Sequence, residues 1–128
     1  AMLFDQVMAA FKLPKATPDE VAARDAAVTA ATLKAAKAPL DVMRAATALM
    51  PDLRFTAERG NPAAASDAAV GALMAKACVH GSAYNVLINL KSLGENPEVP
   101  ALREACDAIR NACDAGAAEV LALVEQKL

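Results

Sequence analysis

Between Gly60 and Gly94 the chain reads GNPAAASDAAVGALMAKACVHGSAYNVLINLKSLG, and this stretch constrains the fold more than any other. Asn61 followed by Pro62 is a helix start. The Asn side chain can cap, and proline at the first helical position gives up an N–H that has no partner there anyway. No proline interrupts the stretch after that, and alanine, the strongest helix former, recurs throughout. Gly94 then supplies a helix stop. A helix from Pro62 to about Leu93 is the expectation, and a helix of that length in a short chain leaves room only for other helices packed along it.

The remaining segments agree. Leu3, Val7, Ala10 and Phe11 share one face of a first short helix, which should end before Pro14. Thr17-Pro18-Asp19-Glu20 has the pattern of a capping box. The helix it opens should run toward Lys37, with a kink or break at Pro39, resume through Met50 and close at Pro51. A short helix near Leu53–Arg59 should end at Gly60. The last helix, from about Pro100 to Lys127, repeats Val99, Leu102, Cys106, Ile109, Cys113, Gly116, Val120 and Leu123 at steps of three and four, the seam of a bundle. No strand alternation and no internal repeat is present. The expected fold is all-α: one domain over residues 1–128, a multihelical bundle of long, kinked, antiparallel helices.

Composition narrows the function. Alanine dominates, aromatics are 3% and tryptophan is absent, so the core must gain from close helix approach and an added subunit interface. Net charge is −2 with both signs interspersed. With few aromatics and no basic block, nucleic acid is not an expected partner. The three cysteines, Cys78, Cys106 and Cys113, are an odd number without a CxxC pair, which suggests free thiols in a reducing compartment. His80, the single histidine, has no Cys or carboxylate at a trustworthy ligand spacing, so no metal is expected. No apolar run reaches the ~18–20 residues of a membrane span, and a cytoplasmic protein without membrane contact is the expectation.

At 100° per residue, Asp67, Gly71, Met74, Cys78, Ser82, Asn85 and Asn89 fall on one narrow arc of the Pro62–Leu93 helix. Val70, Leu73, Ala77, Tyr84, Leu87 and Ile88 lie beside it. The stripe holds neither Lys nor Glu, so it reads as partly buried, and buried polar groups need partners. Two readings follow: the amides bridge helices, or they grip a heterocycle with mixed donors and acceptors. Lys15, with Lys12 nearby, and Arg59 are available cations. Cys106, Cys113 and Cys78 read as packing residues, and His80 as structural.

The segments VMAAFKLPKATPDEVAAR, KAPL, ERGNPAAASDAAV and NVLINLKSL, in this order, resemble the cyclodeaminase domain of formiminotransferase-cyclodeaminase and its single-domain relatives, the bacterial methenyltetrahydrofolate cyclohydrolases. The resemblance runs along essentially the whole chain. It implies a dimeric or higher homo-oligomeric helical fold with folate sites near the interface. The substrate would be a tetrahydrofolate derivative, with no metal. The reaction would be loss of ammonia from 5-formimino-tetrahydrofolate with ring closure, or hydrolysis of the 5,10-methenyl ring. On that resemblance Asp67, Asn85 and Asn89, with Ser82 and Asn61, are substrate-binding candidates, and Lys15 is the catalytic (anion or acid–base) candidate. The family carries further helices and a PTPGGGS-like loop ahead of this segment, and its proposed catalytic aspartate would precede Ala1; Asp5 sits several residues too late. The chain thus resembles the C-terminal portion of the domain: a fragment, a truncated form or a naturally shortened homologue. The isolated chain need not be active, and a non-catalytic helical dimerisation module is the alternative expectation.

Overall fold

A computed structural model describes residues 2–128 and contains five α-helices: α1 (Met2–Phe11), α2 (Pro18–Thr47), α3 (Met50–Arg59), α4 (Ala65–Leu93) and α5 (Val99–Glu125). The described residues contain no strand. α4 is central. It packs along α2 on one side and α5 on the other, α3 bridges α4 and α5, and α1 lies on α2. No helix among the described residues is long and apolar enough to cross a membrane.

The capping box at Thr17 forms: Thr17 Oγ1 accepts from Glu20 N at 3.2 Å, while Glu20 Oε2 accepts from Ala16 N and Thr17 N at 2.7 and 3.2 Å. Asn61 Oδ1 accepts from Ala63 N at 3.0 Å and caps a single 3-10 turn, Pro62–Ala64, that leads into α4. Gly94 ends α4 at φ 58°, a left-handed conformation that glycine adopts without a Cβ penalty. Gly60 serves differently. Its backbone is extended, and a Cβ there would lie 2.5 Å from the Thr56 carbonyl oxygen, so close approach rather than a left-handed turn requires glycine.

One proline departs from expectation. Pro51 does not close α2: that helix ends at Thr47, and Pro51 sits in the first turn of α3, where a missing N–H costs nothing. Pro39 lies inside α2, which runs through it without a break. The cost of that placement is a carbonyl, Ala35 O, deprived of its N–H partner four residues on.

The core is built from small side chains. α4 contributes Ala65, Ala68, Ala72, Ala75, Val79, Ala83, Val86 and Leu90; α2 contributes Thr32, Ala36, Leu40, Met43 and Ala46. From α5 come Cys106, Cys113, Ala117, Val120 and Val124, with Val99, Leu102, Ile109 and Leu123 packed at the margin. The expected seam of α5 is therefore present, but it drifts by one residue, from Gly116 and Leu123 to Ala117 and Val124. A straight 3.6-residue helix drifts in this way against a seven-residue repeat. Gly116 still matters, because a Cβ there would meet Met50 side-chain atoms at 2.9 Å. All the aromatic residues, Phe4, Phe11, Phe55 and Tyr84, are exposed.

Residues of α1 and the first part of α2 form a helical arm. Arg24 Nε donates to Phe11 O at 3.2 Å and its guanidinium lies 5.4 Å from the Phe11 ring centroid, pinning the two helices together at that end. Ala10 alone is buried in α1, and α2 buries nothing fully before Thr32. Lys15 sits in the loop at the tip.

Candidate functional site

The site begins at the proline in α2. The carbonyl of Ala35 that Pro39 leaves unpaired is met from the neighbouring helix: Asn89 Nδ2 of α4 donates to Ala35 O at 3.4 Å and to Asn85 O of its own helix at 2.7 Å. One turn back, Asn85 Nδ2 donates to Gly81 O at 3.3 Å. Carbonyl oxygens can only accept, so these contacts engage the nitrogens of both side chains. The two Oδ1 atoms are left as acceptors.

Both amides line a cleft between α1, α2 and α4, walled by Leu3, Phe4, Val7, Ala35, Pro39 and Ile88, with a volume of about 480 Å³. That volume and an apolar lining with a few converging polar atoms suit a small organic ligand. None of the lining residues is charged. A second cleft, between α3 and α5, is lined by Met50, Pro51, Arg54, Phe55, Glu58, Gly116 and Glu119. Its arginine is already held by Glu58 and Glu119 at 3.1 and 3.0 Å, which raises its pKa through the Glu58 hydrogen bond first, so it offers no free cation.

The structure brings only part of the sequence-derived set together. Asn85 and Asn89 share the first cleft, and Ser82, half-buried, lies one turn from Asn85 on the same side of α4. Asn61 and Asp67 stand at the other end of that helix, both exposed. At 1.5 Å per residue, Asp67 is about 33 Å from Asn89. Lys15 is exposed at the arm tip, about 25 Å along α2 from Ala35 by the same rise. Nor is the stripe as a whole partly buried. Asp67, Met74, Cys78 and Asn85 are exposed, because alanines and valines on the adjacent arc take the core-facing positions. Cys78 therefore does not pack in the interior. Cys106 and Cys113 do, and burial pushes both thiols up from their ordinary range, which keeps them protonated and unreactive.

His80 has a partner that sequence spacing does not reveal. Its Nε2 lies 2.7 Å from Asp114 Oδ1 of α5, and Lys76 Nζ lies 3.3 Å from the same oxygen. The His80 hydrogen bond, with help from Lys76, holds the Asp114 carboxyl below the usual range. Among the described residues no group of three or more His, Cys, Asp or Glu side chains is placed to hold a metal ion.

Fold and cleft together define an all-helical domain with an apolar, amide-lined cleft. The chain belongs to the formiminotransferase-cyclodeaminase family, whose sequence profile matches residues 1–108. It is 34% identical over 124 residues to formimidoyltransferase-cyclodeaminase of Gallus gallus, covering 97% of this chain and 23% of that protein. It is 39% identical over 92 residues to methenyltetrahydrofolate cyclohydrolase of Methylorubrum extorquens, covering 72% of this chain and 44% of that one. A third relative, formimidoyltransferase-cyclodeaminase of Sus scrofa, is 32% identical over 127 residues, 99% of this chain and 24% of its own length. The chain thus spans about a quarter of the transferase-cyclodeaminases and under half of the cyclohydrolase.

Proposed function

We propose that this chain forms a folate-binding helical unit of a one-carbon enzyme. The enzyme would act either on 5-formimino-tetrahydrofolate, with ammonia loss and ring closure, or on 5,10-methenyl-tetrahydrofolate, with hydrolysis. The observation that carries this reading is the state of the two amides. With their nitrogens engaged by backbone carbonyls, the Oδ1 atoms of Asn85 and Asn89 are left to accept along the cleft that both residues line. A pterin is a flat heterocycle whose amino group and ring N–H are donors along one edge. Its faces suit apolar walls such as Phe4, Val7, Pro39 and Ile88. The names of the relatives point to the same class of substrate.

On this reading Ser82 extends the polar edge of the cleft, whereas Asp67, Asn61 and Lys15 lie too far from it within one chain to touch the same pterin. The cleft's uncharged lining supplies no general acid or base of its own, so proton transfer at the bridging carbon falls to groups outside it.

Calorimetric titration with 5-formyl-tetrahydrofolate, a stable mimic, tests the proposal. Saturable binding is expected, weakened about tenfold by Asn85→Ala, the equivalent of one good hydrogen bond. Absence of binding by a folded, helical sample would overturn it.

A further inference from the structure

The three walls of the amide-lined cleft are not held alike. The α2 and α4 walls belong to the core: next to Ala35 and Asn89, the side chains of Ala36, Leu40, Val86 and Leu90 are all buried. The α1 wall does not. Of residues Met2–Phe11, Ala10 alone is buried, and it lies toward the connection to α2 rather than beside Leu3 and Phe4. α1 rests on α2, and the cleft separates it from α4. Phe4, the aromatic of this wall, is 66% exposed. Elements with so few buried apolar contacts are the first to open.

The fastenings of α1 are at its base. Lys12 N and Leu13 N close its last turn on the carbonyls of Ala9 and Ala10, at 3.1 and 3.2 Å. Arg24 of α2 holds Phe11 by carbonyl and ring. Beyond the connection, Glu20 fixes the N–H groups of Ala16 and Thr17 at the start of α2. Between these fixed ends stand Pro14 and Lys15. Proline sets its own φ and keeps Leu13 extended. The soft torsions left are ψ of Pro14 and the φ and ψ of Lys15. Rotation there swings α1 and carries Leu3 and Phe4 farthest. Phe4 lies about 10 Å along the helix from Phe11, so a rotation of about 20° moves it by about 4 Å, close to the thickness of an aromatic ring.

We propose that α1 is a hinged lid on the cleft, pivoting at Pro14–Lys15, which swings off to admit a flat heterocycle and closes to lay Phe4 on its face. A bound ring favours the closed state because Phe4 touches it only there. Lys15 then acts as part of the hinge, remote from the amides. Arg24 is the latch. It lies eleven residues before Ala35, about 16 Å along α2, and does not line the cleft. Closure onto a ring rests on the folate reading; the hinge does not.

Amide hydrogen exchange, read residue by residue by NMR with and without 5-formyl-tetrahydrofolate, tests the proposal. Lifted clear, a ten-residue helix does not keep its own hydrogen bonds, so opening exposes its amides. In the free protein the amides from Gln6 to Leu13 are expected to exchange together, at least tenfold faster than those of Ala83, Val86 and Leu90. Arg24→Ala should speed them several-fold and leave α4 unchanged. Saturating ligand should slow them several-fold, and Arg24→Ala should raise its dissociation rate by a similar factor in stopped flow. Exchange that is graded from Gln6 to Leu13, as in fraying, or as slow as that of α4, would overturn the hinge. Binding that leaves α1 exchange unchanged, or a dissociation rate indifferent to Arg24→Ala, overturns the lid while the folate assignment stands. Cooperative opening that responds to Arg24→Ala in a chain that binds no folate leaves the hinge standing and removes both the substrate assignment and the closure onto its ring.

Discussion

The two faces of α4 invert the usual arrangement. The inward face is mostly alanine, with Val79, Val86 and Leu90 between, and every one of those residues is nearly inaccessible. The outward face carries the larger apolar side chains, Val70, Leu73, Met74, Tyr84 and Ile88, all more than half exposed. Hydropathy alone ranks the outward face as the more buried. Packing explains the reverse. Where α2 and α5 lie along α4, the neighbour is a backbone at close range, and only small side chains fit between helices that approach so nearly. Size, rather than polarity, separates the interior of this domain from its surface.

Mutations sharpen the contrast in order of their expected effect. Leu90→Ala, at 1% exposure, should cost about 2–5 kcal/mol in chemical denaturation, the range for an unrelaxed core cavity. Ala72→Leu tests the same face by overfilling: about 1–3 kcal/mol is expected, and a neutral result would show that the helices are not closely spaced there. Asn89→Ala should cost about 1 kcal/mol by leaving the Ala35 carbonyl without a donor. Pro39→Ala restores an N–H to that carbonyl, so in the Pro39→Ala background the Asn89→Ala cost should shrink. A double-mutant cycle without coupling would refute the link.

Asp114→Asn should cost less than about 1 kcal/mol, because the pair with His80 is over a third exposed. Its pH dependence is the sharper reading. A carboxyl held below its unfolded value stabilises the fold above the unfolded pKa and loses that contribution as pH falls through the folded one. Wild type and Asp114→Asn should therefore converge on acidification below the ordinary carboxylate range. On the outward face, Ile88→Ala should move stability by no more than about 0.5 kcal/mol.

Much of the fold was legible because its signals are local. The Thr17–Glu20 capping box, Asn61 before Pro62, Gly94 and the Cys106–Cys113–Val120 spacing each carry their mechanism within a few residues. Pro51 was misleading because a proline that closes one helix and one that opens the next look alike in sequence. The direction of α4 was misleading for a different reason: an uncharged stripe signals exclusion of water, but here the alanines take the core-facing positions and the larger apolar side chains stay outside. Of the candidate cleft, Asn85 and Asn89 were the residues that spacing singled out. Their cleft was not, since Leu3, Phe4 and Val7 reach it from another helix. The one available clue was Pro39, whose orphaned carbonyl four residues earlier requires a donor. His80 and Asp114 had no clue at all, being 34 residues apart.

The proline in α2 has one more consequence. A helix lined with Ala65, Ala68, Ala72, Ala75 and Ala83 offers its neighbour nearly equivalent sockets, so a slip of one turn, about 5.4 Å, exchanges one alanine contact for another. Such a core is deep but ambiguous. The unpaired carbonyl of Ala35 is the single point on this stretch of α2 that differs from every other, and the Asn89 amide reaches it in one alignment only. Its modest hydrogen bond works as an index mark, naming which of several similar packings is the native one, and it fixes the cleft walls opposite each other as it does so.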